Sequence, residues 1–334
     1  MAGPELAAEA EEQFLRGLKS SSRRRGDIVS SVSFADIPVT FHICCSDAAR
    51  ALLGHFSHIP RSGNSGVTAD VICAVCSKSL GVAIPWRWSE GQYLGRNLNS
   101  HVDPHIAAVV IHERESLVTT IVSVGLAPHD FERRDVARSV LSSILEPLGI
   151  FQLHAATLGD QEACVLLANK SGSGKTSLTV AGVREGLKTV GDDFLAVSSG
   201  DPEPLVYSLF STARLDPSSY AWSRDLGSAL DDDMKSQFDL NSVSSSAVVL
   251  SQLVRAIVVP TIGGNTVLRE CSWHDAMQAL LPSSIRVSKS PKDLISAVEH
   301  LFGDLPCYQL VVGDDVDRAL QHVRQLAGVE ESGR

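Results

Sequence analysis

The first third of the chain alternates short apolar runs with turn residues. From Ile28 to about Glu113, β-branched and apolar runs at residues 39–43, 67–72 and 107–110 are separated by Gly, Ser and Pro. Such runs bounded by turn residues are typical of strands. The pattern therefore predicts a β-rich domain over residues 28–130, after a flexible tail at residues 1–27.

The spacing of apolar residues changes after this β-rich stretch. Between residues 135 and 146 the apolar positions recur at helical spacing, and Pro147 and Gly149 supply the stop signal. The residues on this apolar face are Val136, Val140, Leu141, Ile144, Leu145 and Leu148. This stretch predicts a helix leading into a second domain, residues 131–330.

The second domain contains both strand-like and helix-like patterns of apolar residues. Strands are predicted at residues 164–168, 188–191, 205–208 and 254–259, with helices near Thr176, Trp273 and Pro291. Alternation of strands and helices favours an α/β fold. The Ser-rich residues 240–246 and acidic residues 231–233 indicate a surface loop or a mobile lid.

One loop of this domain carries a chemical signature. The strand at 164–168 runs into a Gly-Ser loop that matches G-x-x-x-x-G-K-[ST] except at its first position, where Asn169 replaces glycine. The loop residues predicted to contact nucleotide are Asn169, Ser171, Gly172, Ser173, Gly174, Lys175, Thr176 and Ser177. Asparagine is the least costly substitute for that glycine, because it tolerates positive φ better than most other residues.

The residue types explain the expected chemistry. Backbone N–H groups and a helix N-terminus surround phosphate oxygens, and glycine lets the backbone approach them closely. Lys175 is expected to contact the β- and γ-phosphates, and the Thr176 hydroxyl to ligate Mg²⁺. The sequence thus predicts ATP and Mg²⁺ as ligands. A plain Gly-Ser turn between a strand and a helix is the alternative.

An acidic pair, Asp192 and Asp193, ends the predicted strand at 188–191. A short right-handed crossover from the loop would bring both to the edge of the sheet where ligands bind in α/β folds. One carboxylate can hold Mg²⁺ and the other can deprotonate an attacking hydroxyl. A solvated Asp-Asp turn remains the simpler interpretation.

Taken together, His154-Ala155, residues 171–176 and residues 186–193 resemble the HPr serine kinase/phosphorylase family and its related kinases. The resemblance implies a P-loop HPr kinase-like C-terminal domain beside the smaller β-rich (α+β) domain. It also implies that Asp193 is the general base, Asp192 its acidic neighbour that binds metal with Thr176, and His154 a residue near the catalytic carboxylate. A structural histidine at a strand start is the alternative for His154.

The chain departs from that family in three places. Ser177 stands where the family has an acidic residue after the loop, and the Arg-Gly-Ile-Gly-Ile and Arg-Pro-Gly-Arg-Asn segments do not occur. HPr is therefore not required as the acceptor. The resemblance to relatives that modify peptides implies the serine hydroxyl of a peptide or protein. A nucleotide-binding regulatory or scaffold protein and a small-molecule kinase are the alternatives.

Composition restricts the partners. The 334 residues are 44% hydrophobic with a formal net charge of −10. The sequence has no stripe of basic residues, so nucleic-acid binding is not predicted. The longest apolar runs have strand length, so no membrane span is predicted and a cytoplasmic location is expected. Seven cysteines without framework spacing agree with a reducing compartment. A homo-oligomer is expected only from the resemblance.

Overall fold

The computed structural model describes residues 28–35, 37–43, 50, 53–61, 69–74, 91–94, 99–102, 108–113, 118–123, 137–138, 141–142, 145–215, 236–288 and 290–329. The chain divides into two compact units, Met1–Leu145 and Glu146–Arg334. The predicted tail at residues 1–27 and the acidic segment 231–233 lie outside the described residues.

The first unit contains strands at the places where the apolar runs occur. They are β1 (Ile28–Phe34), β2 (Ile37–Ile43), β3 (Ala69–Ala74), β4 (Gly91–Leu94), β5 (Asn99–Val102), β6 (Ala108–Glu113) and β7 (Val118–Ser123). Five of them form a mixed sheet in the order β1-β2-β3-β7-β6, and β4 pairs with β5. Val32 and Phe34 point to one side of β1, as alternation requires. Phe34 packs edge-on against Phe56, with ring centroids 5.4 Å apart.

The predicted helix at 135–146 is described in part. Residues 137–138, 141–142 and 145 are helical, and Ala137, Leu141 and Leu145 are fully buried at i, i+4 and i+8. A single 3₁₀ turn, Glu146–Leu148, and Gly149 at φ 78° follow. The stop signal at Pro147 and Gly149 therefore ends the helical segment as predicted.

The second unit is built on one branched sheet. Its strands are β8 (Ile150–Leu153), β9 (Ala156–Gly159), β10 (Ala163–Leu167), β11 (Leu195–Ser198), β12 (Leu205–Ser208), β15 (Ser251–Ile262), β16 (Val267–Glu270) and β17 (Cys307–Val312), with β13 (Thr212–Leu215) and β14 (Ser236–Asp239) as a separate pair. β15 pairs with β12 at its start and then runs parallel to β10 and β17. The carboxyl ends of β10, β15 and β17 therefore share one edge.

Helices cover both faces of this sheet. They are α1 (Lys175–Arg184), α2 (Leu240–Val243), α3 (Trp273–Ile285), α4 (Pro291–Phe302) and α5 (Val316–Ala327). Alternate residues of β10 face opposite helix layers: Cys164 and Leu166 pack in the core with α3 and α4, whereas Val165 and Leu167 pack in the core with α1 and α5. The α/β fold predicted for this part of the chain is confirmed.

Two predicted elements are corrected. The predicted strand 188–191 is not formed: only Lys188 and Thr189 make isolated bridges. Thr189 Oγ1 accepts from the N–H of Gly191 and donates to its carbonyl, which turns the chain there. Residues 240–243, predicted as loop or lid, form α2. Asp239 caps this helix through the N–H of Asn241, and Leu240 is fully buried.

Among the described residues, no helix is both long and apolar enough to span a membrane.

Candidate functional site

The Gly-Ser loop connects the buried strand β10 to helix α1. Gly172 and Gly174 adopt φ 82° and 95°, a left-handed region that side chains disfavour. Gly174 occupies the N-cap position of α1 and has no side chain to accept bonds from the first-turn amides. Those N–H groups and the helix dipole therefore remain directed at the loop concavity, which is the geometry of an anion site.

Asn169 fits the loop for a reason different from the expected one. Positive φ is not its conformation; the non-glycine residues with positive φ in the described chain are Ala35, Asp193 and Ser246. Instead, Asn169 Nδ2 donates to the Pro260 carbonyl at 2.8 Å, and its Oδ1 accepts from the Lys170 N–H at 2.7 Å. The side chain ties the start of the loop to the neighbouring strand β15.

Lys175 lies beneath the loop rather than on the surface. Its side chain is almost fully buried, and Nζ donates to the carbonyls of Asn169 at 2.5 Å and Lys170 at 3.2 Å. Burying an ammonium group is costly unless it is hydrogen-bonded. The loop carbonyls supply those bonds and hold the positive charge next to the cradle.

The loop and the acidic pair are in direct contact. Thr176 Oγ1, in the first turn of α1, donates to Asp192 Oδ2 at 2.9 Å, and Asp192 is fully buried. The connecting segment is short, and its turn at Gly191 is secured by Thr189. The Thr176 hydroxyl and the Asp192 carboxylate, the two predicted Mg²⁺ ligands, are therefore adjacent. Their role as ligands stays a prediction.

Asp193 is held in an unusual conformation beside His154. Its φ is 70°, a left-handed conformation that costs energy for a non-glycine residue and recurs at functional sites. Asp193 Oδ1 lies 3.9 Å from His154 Nε2, and both side chains are partly exposed. His154 is positioned by the Phe194 ring at 5.3 Å between centroids and by its own N–H, which donates to Ser284 Oγ at 2.9 Å.

The three loop serines occupy different environments. Ser171 is exposed, Ser173 is buried within the loop, and Ser177 is half-buried on α1. Ser177 also lines a groove between α1 and α5. Two pairs of the predicted site residues are in contact or close to each other: Thr176 with Asp192, and Asp193 with His154. Ser171 and Gly172 are exposed.

The donor set fits a polyphosphate with Mg²⁺. Mg²⁺ prefers oxygen ligands, keeps several waters and is usually held by one or two protein oxygens plus phosphates. Thr176 and Asp192 would provide that pair. Within the described part of the chain, no cluster of three or more His, Cys, Asp or Glu side chains is arranged for a metal.

Sequence reasoning missed the residues that support the site from a distance. Pro260 and Ser284 anchor Asn169 and His154, but they lie 91 and 130 positions away along the chain. No local pattern indicates such contacts. Helix α5 was also missed, although Asp315 at its N-cap, apolar residues at 316, 319, 320 and 323, and Gly328 after its end are the usual helix signals.

Comparisons with known proteins add little. No protein-family model matches the chain, and no curated protein matches it. Among the solved structures that match is the HPr(Ser) kinase/phosphatase from Coxiella burnetii, at 12% sequence identity. That match covers 52% of this chain and 92% of the other, with a TM-score of 0.28.

Proposed function

We propose that this chain is an ATP-dependent kinase that transfers the γ-phosphoryl group to a serine hydroxyl of a peptide or protein. The observation that carries the proposal is the hydrogen bond between Thr176 and Asp192, which joins a phosphate-type loop to an acidic turn with a second, strained carboxylate. Asp193, partly exposed beside His154, adds a carboxylate that can accept a proton from an acceptor hydroxyl.

The loop would bind and orient the nucleotide. The N–H groups of the loop and of the first turn of α1 would contact the phosphate oxygens. Lys175 Nζ now donates to the carbonyls of Asn169 and Lys170, and it would donate to phosphate oxygens when the nucleotide is bound. Thr176 and Asp192 would hold Mg²⁺, which neutralises phosphate charge when bound. Catalysis of this type is mainly positioning and electrostatic stabilisation.

Asp193 would act on the acceptor. Its carboxylate is partly exposed, so an incoming hydroxyl can reach it, whereas Asp192 is fully buried. Asp193 takes the serine proton while the serine oxygen bonds to the γ-phosphorus and ADP leaves. His154, 3.9 Å away, would orient that carboxylate through its ring.

The test combines binding and transfer. ATP binding with Mg²⁺ is measured by calorimetry, and radiolabel transfer from γ-labelled ATP to a serine-containing peptide pool is measured in the same samples. Lys175→Ala should lose ATP binding, and Asp193→Asn should bind ATP but lose at least about a hundredfold in transfer. Lys292→Ala and Asp304→Asn, at exposed positions away from the loop, serve as matched controls.

The outcomes separate the alternatives. Full transfer by Asp193→Asn would remove Asp193 from the base role. Binding that depends on Lys175 without any labelled peptide would favour a nucleotide-sensing scaffold, and labelling of a free hydroxy amino acid alone would favour a small-molecule kinase. Absence of ATP binding in the wild type would contradict the proposal as a whole.

A further inference from the structure

An open groove begins where the phosphate-type loop ends. It has a volume of about 370 Å³ and lies between α1 and α5, at the shared edge of β15 and β17. Gly174 and Ser177 belong to both the loop region and the groove wall. Pockets for small organic ligands usually occupy roughly 300–1,000 Å³, so the groove has the size of a ligand site.

The walls of the groove expose apolar side chains that a folded protein normally covers. Among the described residues, three large apolar side chains are markedly exposed, and two of them, Ile262 at 70% and Val316 at 38%, line this groove. Ala181, half-buried on α1, and the almost fully buried Leu178 complete the apolar lining. Exposed apolar surface concentrated in one concavity marks a binding site more often than a random surface does.

The groove is built from rigid backbone. Gly263 N–H donates to the Val312 carbonyl at 3.1 Å, and Gly313 N–H donates to Thr266 Oγ1 at 3.1 Å. Thr266 in turn donates to the Asp315 carbonyl at 2.8 Å, just before α5. A Cβ at Gly313 would come within 2.1 Å of the Gly264 carbonyl oxygen, so the two turns are in close contact. A preformed wall of this kind costs little ordering when a ligand binds.

The loop and the groove touch each other. A Cβ placed on Gly174 would lie 3.2 Å from Ile262 Cγ1, so Ile262 forms the boundary between the phosphate cradle and the apolar wall. A ligand whose phosphates occupy the loop can therefore reach Ile262 with its non-phosphate part. A flat, largely apolar group would pack well between Ile262, Ala181 and Val316.

We infer that this groove binds the adenosine part of ATP, with the adenine ring against Ile262 and Val316. The inference rests on the proposed function, because it assigns a place to the nucleoside of the same nucleotide. The rim carries Asp317, whose carboxylate can accept hydrogen bonds from the adenine amino group or a ribose hydroxyl. An apolar slot with a few polar groups at the rim is the usual design of such sites.

The experiment compares ATP with inorganic tripolyphosphate, which has the phosphates but no nucleoside. Both are titrated by calorimetry, in the presence of Mg²⁺, into the wild-type chain, Val316→Trp and Ala181→Phe. Both substitutions fill the groove. Gln321→Trp, an exposed position of α5 outside the groove lining, is the matched control, and Lys175→Ala reports on the loop.

The expected result is that both groove variants weaken ATP binding at least tenfold and leave tripolyphosphate binding within twofold of wild type. Gln321→Trp should change neither, and Lys175→Ala should weaken both ligands. Unchanged ATP affinity in both folded groove variants would overturn the inference while the proposed function stands. A rise only in the KM for the acceptor peptide would assign the groove to the peptide and would equally overturn it.

Failure of nucleotide binding by the loop gives a different pattern. Wild-type protein would then bind neither ATP nor tripolyphosphate, or Lys175→Ala would bind both like wild type. Failure of phosphoryl transfer alone is seen in the peptide-labelling assay and leaves the binding comparison valid. Thermal melting without ligand shows whether Val316→Trp is folded. If it is not, Ala181→Phe decides between the two results.

Discussion

The two helix layers of the second unit differ in how completely they cover the sheet. The layer of α3 and α4 closes its face with fully buried side chains such as Leu280, Leu294 and Phe302. The layer of α1 and α5 also has a buried core, but it leaves a groove with Ile262 and Val316 exposed beside the loop. Two of the three markedly exposed large apolar side chains of the described residues thus lie in the layer where a ligand is proposed to bind.

The largest expected effect tests the supporting layer. Phe302→Ala removes a fully buried ring from α4 and should lower the free energy of unfolding by about 3–5 kcal/mol. Chemical denaturation measures the loss, and ATP affinity of the folded fraction should remain near wild type. A large drop in ATP affinity would break the division between the two layers.

The second effect tests the ligand layer. Gly174→Val places a β-branched residue at φ 95° and pushes its side chain toward Ile262. ATP affinity should fall on the order of a hundredfold, about 2.7 kcal/mol, because the cradle can no longer keep its shape. Calorimetry measures the affinity, and Gly186→Val, at another glycine of positive φ outside the loop, controls for the cost of strain alone. Equal affinity in both variants would contradict the anion-cradle geometry.

A smaller effect separates strain from chemistry at the acidic turn. Asp193→Gly and Asp193→Ala both remove the carboxylate, but only glycine is relaxed at φ 70°. The glycine variant should be more stable than the alanine variant by about 1 kcal/mol, and neither should transfer phosphate. Thermal melting and the transfer assay together check this. Equal stability of the pair would show that the turn is unstrained.

The smallest effect concerns the cap of α3. Ser272 and Asp275 form a reciprocal capping box, and the hydrogen bonds from Ser272 hold the pKa of Asp275 below its usual value. Ser272→Ala should cost about 1 kcal/mol at neutral pH. Because the pKa of Asp275 is lowered in the folded state, its hydrogen bonds from Ser272 stabilise that state fully only above the unfolded pKa of about 4. The share of the stability difference that comes from Asp275 should therefore be lost as the pH falls from about 4 through the lower, folded pKa. Denaturation at pH 7 and pH 3 measures the change, and no dependence on pH would exclude the box.

The sequence predicted the elements whose signals are local. The helices at Trp273 and Pro291 begin at those residues, and the strand at 205–208 has the predicted bounds. Local patterns failed where tertiary contacts decide: β15 runs from Ser251 to Ile262, well beyond the predicted 254–259, because it borders β12, β10 and β17 in turn.

The candidate site shows the same division. Loop composition and spacing pointed to Lys175, Thr176 and the acidic pair, whose Thr176 and Asp192 touch. The groove was not predictable, since its walls come from Ile262, Val316 and α1, which are separated by 54 or more positions and acquire their exposure only in the fold. The roles of Asp193 and His154 in transfer, the serine acceptor and the domain limits stay predictions.

The side chain of Asn169 gives the loop an internal tether that the standard motif lacks. Replacing it with glycine would make the sequence a perfect match to the motif, yet would delete the bonds to Pro260 and Lys170. We expect Asn169→Gly to bind ATP more weakly than the natural chain, despite its better motif. A substitution that restores the consensus would therefore weaken ATP binding, because the asparagine side chain holds the loop in place through hydrogen bonds that glycine cannot make.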